Sequence, residues 1–183
     1  QNMKRVLYTL TIIILSLSIS SAQKYICRDG NLSFFSSTPM EDIEALNKQA
    51  TAIIDVETGN VVVTALIKSF EFEKALMQEH FNENYVESDK FPKATFKGDI
   101  LNFNNVSSLD ATYDVKGMIT IHGVSKEIVV PTIFKRNGDT IFVKGEFNLL
   151  LEDFDIKIPR LLLKKIAKEI NVTFEFNHKP YNR

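Results

Sequence analysis

Apolar and polar residues alternate with period two through much of the second half of the chain, the pattern of strands with one face buried. Tyr113, Val115, Gly117, Ile119 and Ile121 share one face, with Asp114, Lys116, Thr120 and His122 opposite. After His122-Gly123-Val124-Ser125 the alternation resumes with Ile128, Val130 and Phe134, which predicts a hairpin with a Gly-containing connection. Arg136-Asn137-Gly138-Asp139 is a second hairpin signal, because Asn-Gly tolerates the positive φ of a type I′ turn. Ile141, Val143, Gly145, Phe147 and Leu149 follow on one face. Leu32–Ser36, Val61–Ile67, Ala94–Ile100 and Val172–Phe176 are further strand candidates. Short strands at this spacing, joined by hairpins, predict an antiparallel barrel or sandwich.

Two stretches carry helical spacing instead. Between Glu73 and Tyr85, Met77, Phe81 and Tyr85 recur at i, i+4 and i+8. Pro159 to Glu169 opens on proline, with Leu162, Leu163 and Ile166 on one side and three lysines on the other. That run is suited either to flank a barrel end or to rest peripherally on an anionic membrane surface. Thr38-Pro39-Met40-Glu41 has the form of a capping box, but Ile43-Glu44-Ala45-Leu46 reads equally well as a strand.

The N-terminal 22 residues have the order of an export leader. Met3-Lys4-Arg5 is basic, Val6 to Ile19 is uncharged and mostly apolar, and Ser20-Ser21-Ala22 supplies small residues before Gln23. The apolar run is shorter than the roughly 20 residues of a spanning helix. Residues 1–22 are therefore expected to be a cleaved signal peptide, residues 23–183 one domain, and the location periplasmic or secreted. About 160 residues is an ordinary size for one core. Two of the 22 basic residues lie in the leader, and the rest of the chain sets 20 against 23 acids. That balance offers nucleic acid no basic footprint. The lone Cys27 excludes an intramolecular disulfide and reads as a small buried residue near the first strand.

The 14 phenylalanines and absent tryptophan indicate rings meant for a core or an apolar ligand, since Phe carries no polar group. A small barrel either fills its lumen with side chains or encloses one apolar ligand. The inward candidates are Phe34, Val63, Ile67, Phe96, Val115, Ile119, Ile121, Val130, Phe134, Val143, Phe147, Phe154, Phe174 and Phe176. Gly98, Gly117 and Gly145 lie on the same faces, and Gly117 and Gly145 join the candidate ligand-binding set. Glycine inside a strand marks a bend or a place where a ligand lies against the backbone.

No arrangement of catalytic or metal-binding residues emerges. His80, His122 and His178 are far apart, and Glu79-His80-Phe81-Asn82-Glu83 lacks the second histidine of the zinc-protease pattern. Gly123-Val124-Ser125-Lys126-Glu127 lacks the last glycine of a nucleophile elbow and lies in a hairpin. Glu41-Asp42 and Glu152-Asp153 are adjacent pairs that read as solvated charges. The expectation is a non-enzymatic chain without cofactor.

The segment from His80-Phe81-Asn82-Glu83-Asn84-Tyr85 through Phe91-Pro92-Lys93-Ala94-Thr95-Phe96-Lys97-Gly98 resembles the YceI-like family. The likeness continues through Gly117-Met118-Ile119-Thr120-Ile121-His122-Gly123-Val124-Ser125-Lys126 and through Phe147 with Asp153-Phe154-Asp155-Ile156. Arg28-Asp29-Gly30-Asn31-Leu32-Ser33 stands where the family has D-x-x-H-S, and Pro159 to Leu163 is more helical than the common form, which marks a divergent subgroup. The resemblance implies a single lipocalin-like antiparallel β-barrel with one or two short helices. Some members hold a polyisoprenoid chain inside. It therefore implies a carrier for an apolar, isoprenoid-like lipid, with a filled barrel serving as an interaction or stress-response module as the alternative. It leaves the oligomeric state, dimer included, open.

Overall fold

The computed structural model describes residues 24–181, so the leader lies outside the described residues. Nine strands and one short helix follow in order: β1 (Lys24–Ser37), β2 (Asp42–Asp55), β3 (Asn60–Leu66), β4 (Glu71–Phe72), α1 (Ala75–His80), β5 (Lys93–Ile100), β6 (Thr112–Ile121), β7 (Val124–Asn137), β8 (Thr140–Leu150) and β9 (Glu169–Pro180). The sheet runs β1-β9-β8-β7-β6-β5-β3-β2, and β2 pairs with β1 to close an eight-stranded antiparallel barrel. The two-residue β4 adds to the other end of β2, where Ala45 faces Phe72. Closure removes exposed strand edges and gives the barrel an inside.

Turn chemistry fixes the register of the hairpins. Ile121 pairs with Val124, so His122-Gly123 is the two-residue loop of β6–β7. Both loop residues have positive φ, 52° and 76°, the requirement of a type I′ turn. Asn137 pairs with Thr140, so the β7–β8 loop is Gly138-Asp139, not Asn137-Gly138. Only Gly138 has positive φ there, the pattern of a II′ turn with glycine first. The expected I′ turn thus belongs to the earlier hairpin. At Thr38 the strand reading holds. Its hydroxyl accepts from the amides of Met40 and Glu41, closing the β1–β2 turn in place of capping a helix.

β2 breaks the period-two rule. Ile43, Ala45 and Asn47 are buried, and then Ala50, Ala52 and Ile54, a change of phase. The pairing with β1 is irregular at the same level, where Gly30 faces Ala50 and Leu32 faces Asn47. An extra residue at such a bulge rotates the following side chains to the other face. Asn47 is fully buried and settles the freed backbone: its side chain donates to the Leu66 carbonyl at 3.0 Å and accepts from the Gln49 amide at 2.8 Å.

The first predicted helix forms as α1 and continues as a π turn over Phe81–Tyr85. Met77, Phe81 and Tyr85 face the barrel as their spacing predicts. The second does not form. Pro159 leads into a single 3₁₀ turn at Arg160–Leu162, followed by further turns. Its backbone is committed elsewhere: the Ala167 amide donates to Ser36 Oγ, and the Lys168 carbonyl accepts from the Leu151 amide as β9 begins. Ile166 is buried while Leu161 stays 91% exposed, so the segment flanks the barrel end without a continuous apolar stripe.

Candidate functional site

Inside the barrel is a cavity of about 210 Å³. Fourteen of the expected inward residues line it: Phe34, Val63, Ile67, Phe96, Val115, Ile119, Ile121, Val130, Phe134, Val143, Phe147, Phe154, Phe174 and Phe176. For the twelve that lie on strands the cause is simple: once one residue of an antiparallel strand faces the core, every second residue on an unbroken strand does so too. Ile67 and Phe154 sit instead in 3₁₀ turns that follow β3 and β8.

Gly117 and Gly145 do not line the cavity, which corrects the expectation that they leave room for a ligand. Gly117 lies directly opposite Gly98 on β5. A Cβ on Gly117 would stand 2.3 Å from the Lys97 carbonyl oxygen and 2.5 Å from the Gly98 Cα, so neighbouring backbone occupies that space. Gly145 faces Phe174 on β9, and a Cβ there would meet the Phe174 ring at 2.5 Å. These glycines admit protein, and the ring over Gly145 covers a bare stretch of strand.

Several lining residues escaped the sequence reading. Ala52 and Ile54 on β2 were hidden by the phase change, although the alternation within Ala50, Ala52 and Ile54 was a usable signal. Phe70 and Phe72 join Phe34 and Phe81 in an aromatic cluster, with Phe34 5.3–5.6 Å from the other three ring centroids. Such pairs add about 0.5–1.5 kcal/mol each beyond their burial. They seat the α1 segment against the barrel. Phe96, Phe147 and Phe174 face inward yet are only partly buried, because the lumen beside them is not filled. Near the β7–β8 turn the packing is closer: Phe134, Ile141, Val143 and Phe176 are buried in one core with Leu109.

The lining contains no Asp, Glu, Lys or Arg. Its hydroxyls at Ser33, Ser36 and Thr132 are engaged, by the Thr173 hydroxyl, the Ala167 amide and the Val130 carbonyl. Burial raises the Tyr85 phenol above its ordinary range, so it remains neutral. The exception is His178, only 1% exposed on the inward face of β9. Its Nδ1 meets the Ile141 carbonyl at 3.3 Å, whereas Nε2 has no hydrogen-bond partner among the described residues. Desolvation pulls this imidazole down to about 4, so it is neutral at physiological pH. The strand expected over Val172–Phe176 stops short of His178, so no sequence signal pointed to its inward orientation.

His122 has a different task. From the β6–β7 turn its Nδ1 lies 3.0 Å from the Phe154 carbonyl and its Nε2 2.8 Å from Glu87 Oε2, with the Phe91 ring edge-on at 4.8 Å. It fastens the segment after α1 and the turn after β8 to the barrel rim. The His122 hydrogen bond lowers the Glu87 carboxyl from its ordinary value, with Lys90 assisting. Cys27 is buried, as expected, and burial raises its thiol. Among the described residues no three His, Cys, Asp or Glu side chains converge as a metal site, and no helix is long and apolar enough to cross a membrane.

The model of one protein family, described as a YceI-like domain, matches residues 29–178. No curated protein matches the sequence. Among solved structures, a polyisoprenoid binding domain from Saccharophagus degradans, implicated in plant cell wall breakdown, superimposes with a TM-score of 0.73 at 15% identity, covering 88% of this chain and 100% of that one. BcnA of Burkholderia cenocepacia gives 0.68 at 20% identity over 81% and 95% of the two chains. A YCEI protein of Campylobacter jejuni gives 0.61 at 20% identity over 75% and 84%. At these identities the likeness shows the fold.

Proposed function

This chain belongs to the family of YceI-like domains, and on that premise we propose that its barrel binds an apolar, isoprenoid-like lipid as a non-enzymatic carrier. The observation that carries the reading is the lumen, a cavity whose lining holds no ionisable group that is charged at neutral pH. Such a surface rewards a hydrocarbon chain by about 25 cal/mol for each Å² of apolar area removed from water. It penalises a buried charge severely. The ligand named for the Saccharophagus degradans domain is of the same chemical class. The cavity volume of about 210 Å³ is below the roughly 300–1,000 Å³ of pockets that enclose drug-sized ligands. A long chain therefore enters by turning the partly buried rings of Phe96, Phe147 and Phe174, which line the unfilled part of the lumen.

The leader-like order of residues 1–22 supports export, and with it a periplasmic or secreted location for the carrier. Native mass spectrometry of the exported protein, before and after incubation with a polyprenol, tests both parts. The expected result is a mature N-terminus at or near Gln23 and a lipid adduct lost on organic extraction. Retention of Met3 in the exported protein would refute the leader. Absence of both co-purified lipid and polyprenol uptake would refute the carrier and leave the filled scaffold.

A further inference from the structure

Among the described residues of the cavity lining, His178 is the one with a fully buried polar atom that lacks a partner, and its chemistry specifies a complement. The Ile141 carbonyl can only accept, so the Nδ1 contact at 3.3 Å places the ring proton on Nδ1. In the neutral imidazole Nε2 then carries a bare lone pair and can only accept. Nε2 is buried without a partner among the described residues. Leaving a buried acceptor unpaired is costly, and such groups in native proteins call for an explanation. A water molecule is a poor answer, since a buried water typically uses about three polar partners. Thr132, another polar group of the lining, already donates to the Val130 carbonyl. His178 follows Phe174 and Phe176 on the inward face of β9, at the closely packed end of the cavity.

We propose that the His178 end of the lumen is a polar subsite that accepts a hydrogen bond from the donor-bearing terminus of the lipid, so that the preferred ligand is an isoprenoid alcohol and not a hydrocarbon, an ether or a quinone. This rests on the lipid-binding reading above and adds to it the orientation and the functional group of the ligand. A hydroxyl donates to Nε2 with its hydrocarbon along the aromatic wall. An ether or a quinone carbonyl offers only further acceptors and leaves Nε2 unpaired. A phosphorylated terminus finds no cation in the lining.

The test uses three probes with the same fifteen-carbon chain: farnesol, farnesyl methyl ether and farnesene, each displacing a polarity-sensitive dye. Farnesol is expected to bind about tenfold more tightly than the other two, the 1.4 kcal/mol that one hydrogen bond to a buried acceptor readily supplies. His178→Phe should abolish the preference of farnesol over the ether and farnesene, while His178→Gln, whose side-chain oxygen accepts, should restore part of it. The ¹⁵N resonance of His178 Nε2 should shift with farnesol and not with farnesene. Equal binding of all three probes to the wild type would overturn the subsite while leaving the carrier standing. So would a farnesol preference that survives in a folded His178→Phe protein. Failure of every probe to bind would instead overturn the carrier reading itself, and the subsite with it.

Discussion

Replacing Gly117 with alanine sets two general tendencies against each other, and the structure decides between them. Strand propensity argues for a gain, because glycine in a strand interior costs about 0.5–1 kcal/mol relative to alanine. Packing argues for a loss. The new Cβ would lie 2.3 Å from the Lys97 carbonyl oxygen and 2.5 Å from the Gly98 Cα, where 3.4–4 Å is ordinary contact. Both obstacles are backbone, so no side chain can swing away. Relief requires β5 and β6 to part by about 1 Å in the middle of their ladder, the kind of overpacking that costs about 1–3 kcal/mol. The difference is a net destabilisation of roughly 1–2 kcal/mol. For a domain of this size that lowers Tm by about 2–8 °C. Urea and thermal unfolding followed by far-UV circular dichroism read it directly. Lys97→Ala, on the outer face of the same strand pair, serves as a control. A Gly117→Ala protein that melts at or above the wild-type temperature would show that the two strands do not approach as described.

Phe134→Asp should abolish folding or solubility, since Phe134 is 2% exposed and packs edge-on against Tyr113, and an unpaired buried carboxylate costs several kcal/mol; a wild-type melting curve would put this face in solvent. His178 makes stability pH-dependent. Between pH 6.5 and about 4 the unfolded chain binds a proton that the folded one refuses, so stability falls as pH falls, by roughly 3 kcal/mol across that window. His178→Phe should remove this part of the slope in urea midpoints measured from pH 7 to 4, and an unchanged slope would mean that the imidazole is solvated. Cys27, 2% exposed with its thiol raised by burial, should be alkylated at pH 8 orders of magnitude more slowly in the native protein than in urea. Rapid native labelling would show that the start of β1 is not packed.

What could be read from the sequence was whatever repeats locally. β6, β7 and β8 keep an unbroken period of two, so residues from Val115 to Phe147 fell on the correct face without knowledge of their neighbours. Helical spacing likewise placed Met77, Phe81 and Tyr85 toward the lumen. Tertiary structure decided the rest, because each remaining feature depends on atoms distant in the chain. The inward set of β2 changes phase at Asn47, whose side chain bonds to Leu66. The Pro159–Glu169 run has helical spacing, yet Ser36 and Leu151 take its backbone groups and leave one 3₁₀ turn. Gly117 and Gly145 looked like room for a ligand, but strand pairing fills that room with Gly98 and Phe174. His178 lies beyond the strand expected over Val172–Phe176, and only the pairing of a longer β9 between β8 and β1 turns it inward and buries it. Periodicity says which way a side chain points; only the closed barrel determines what it meets there.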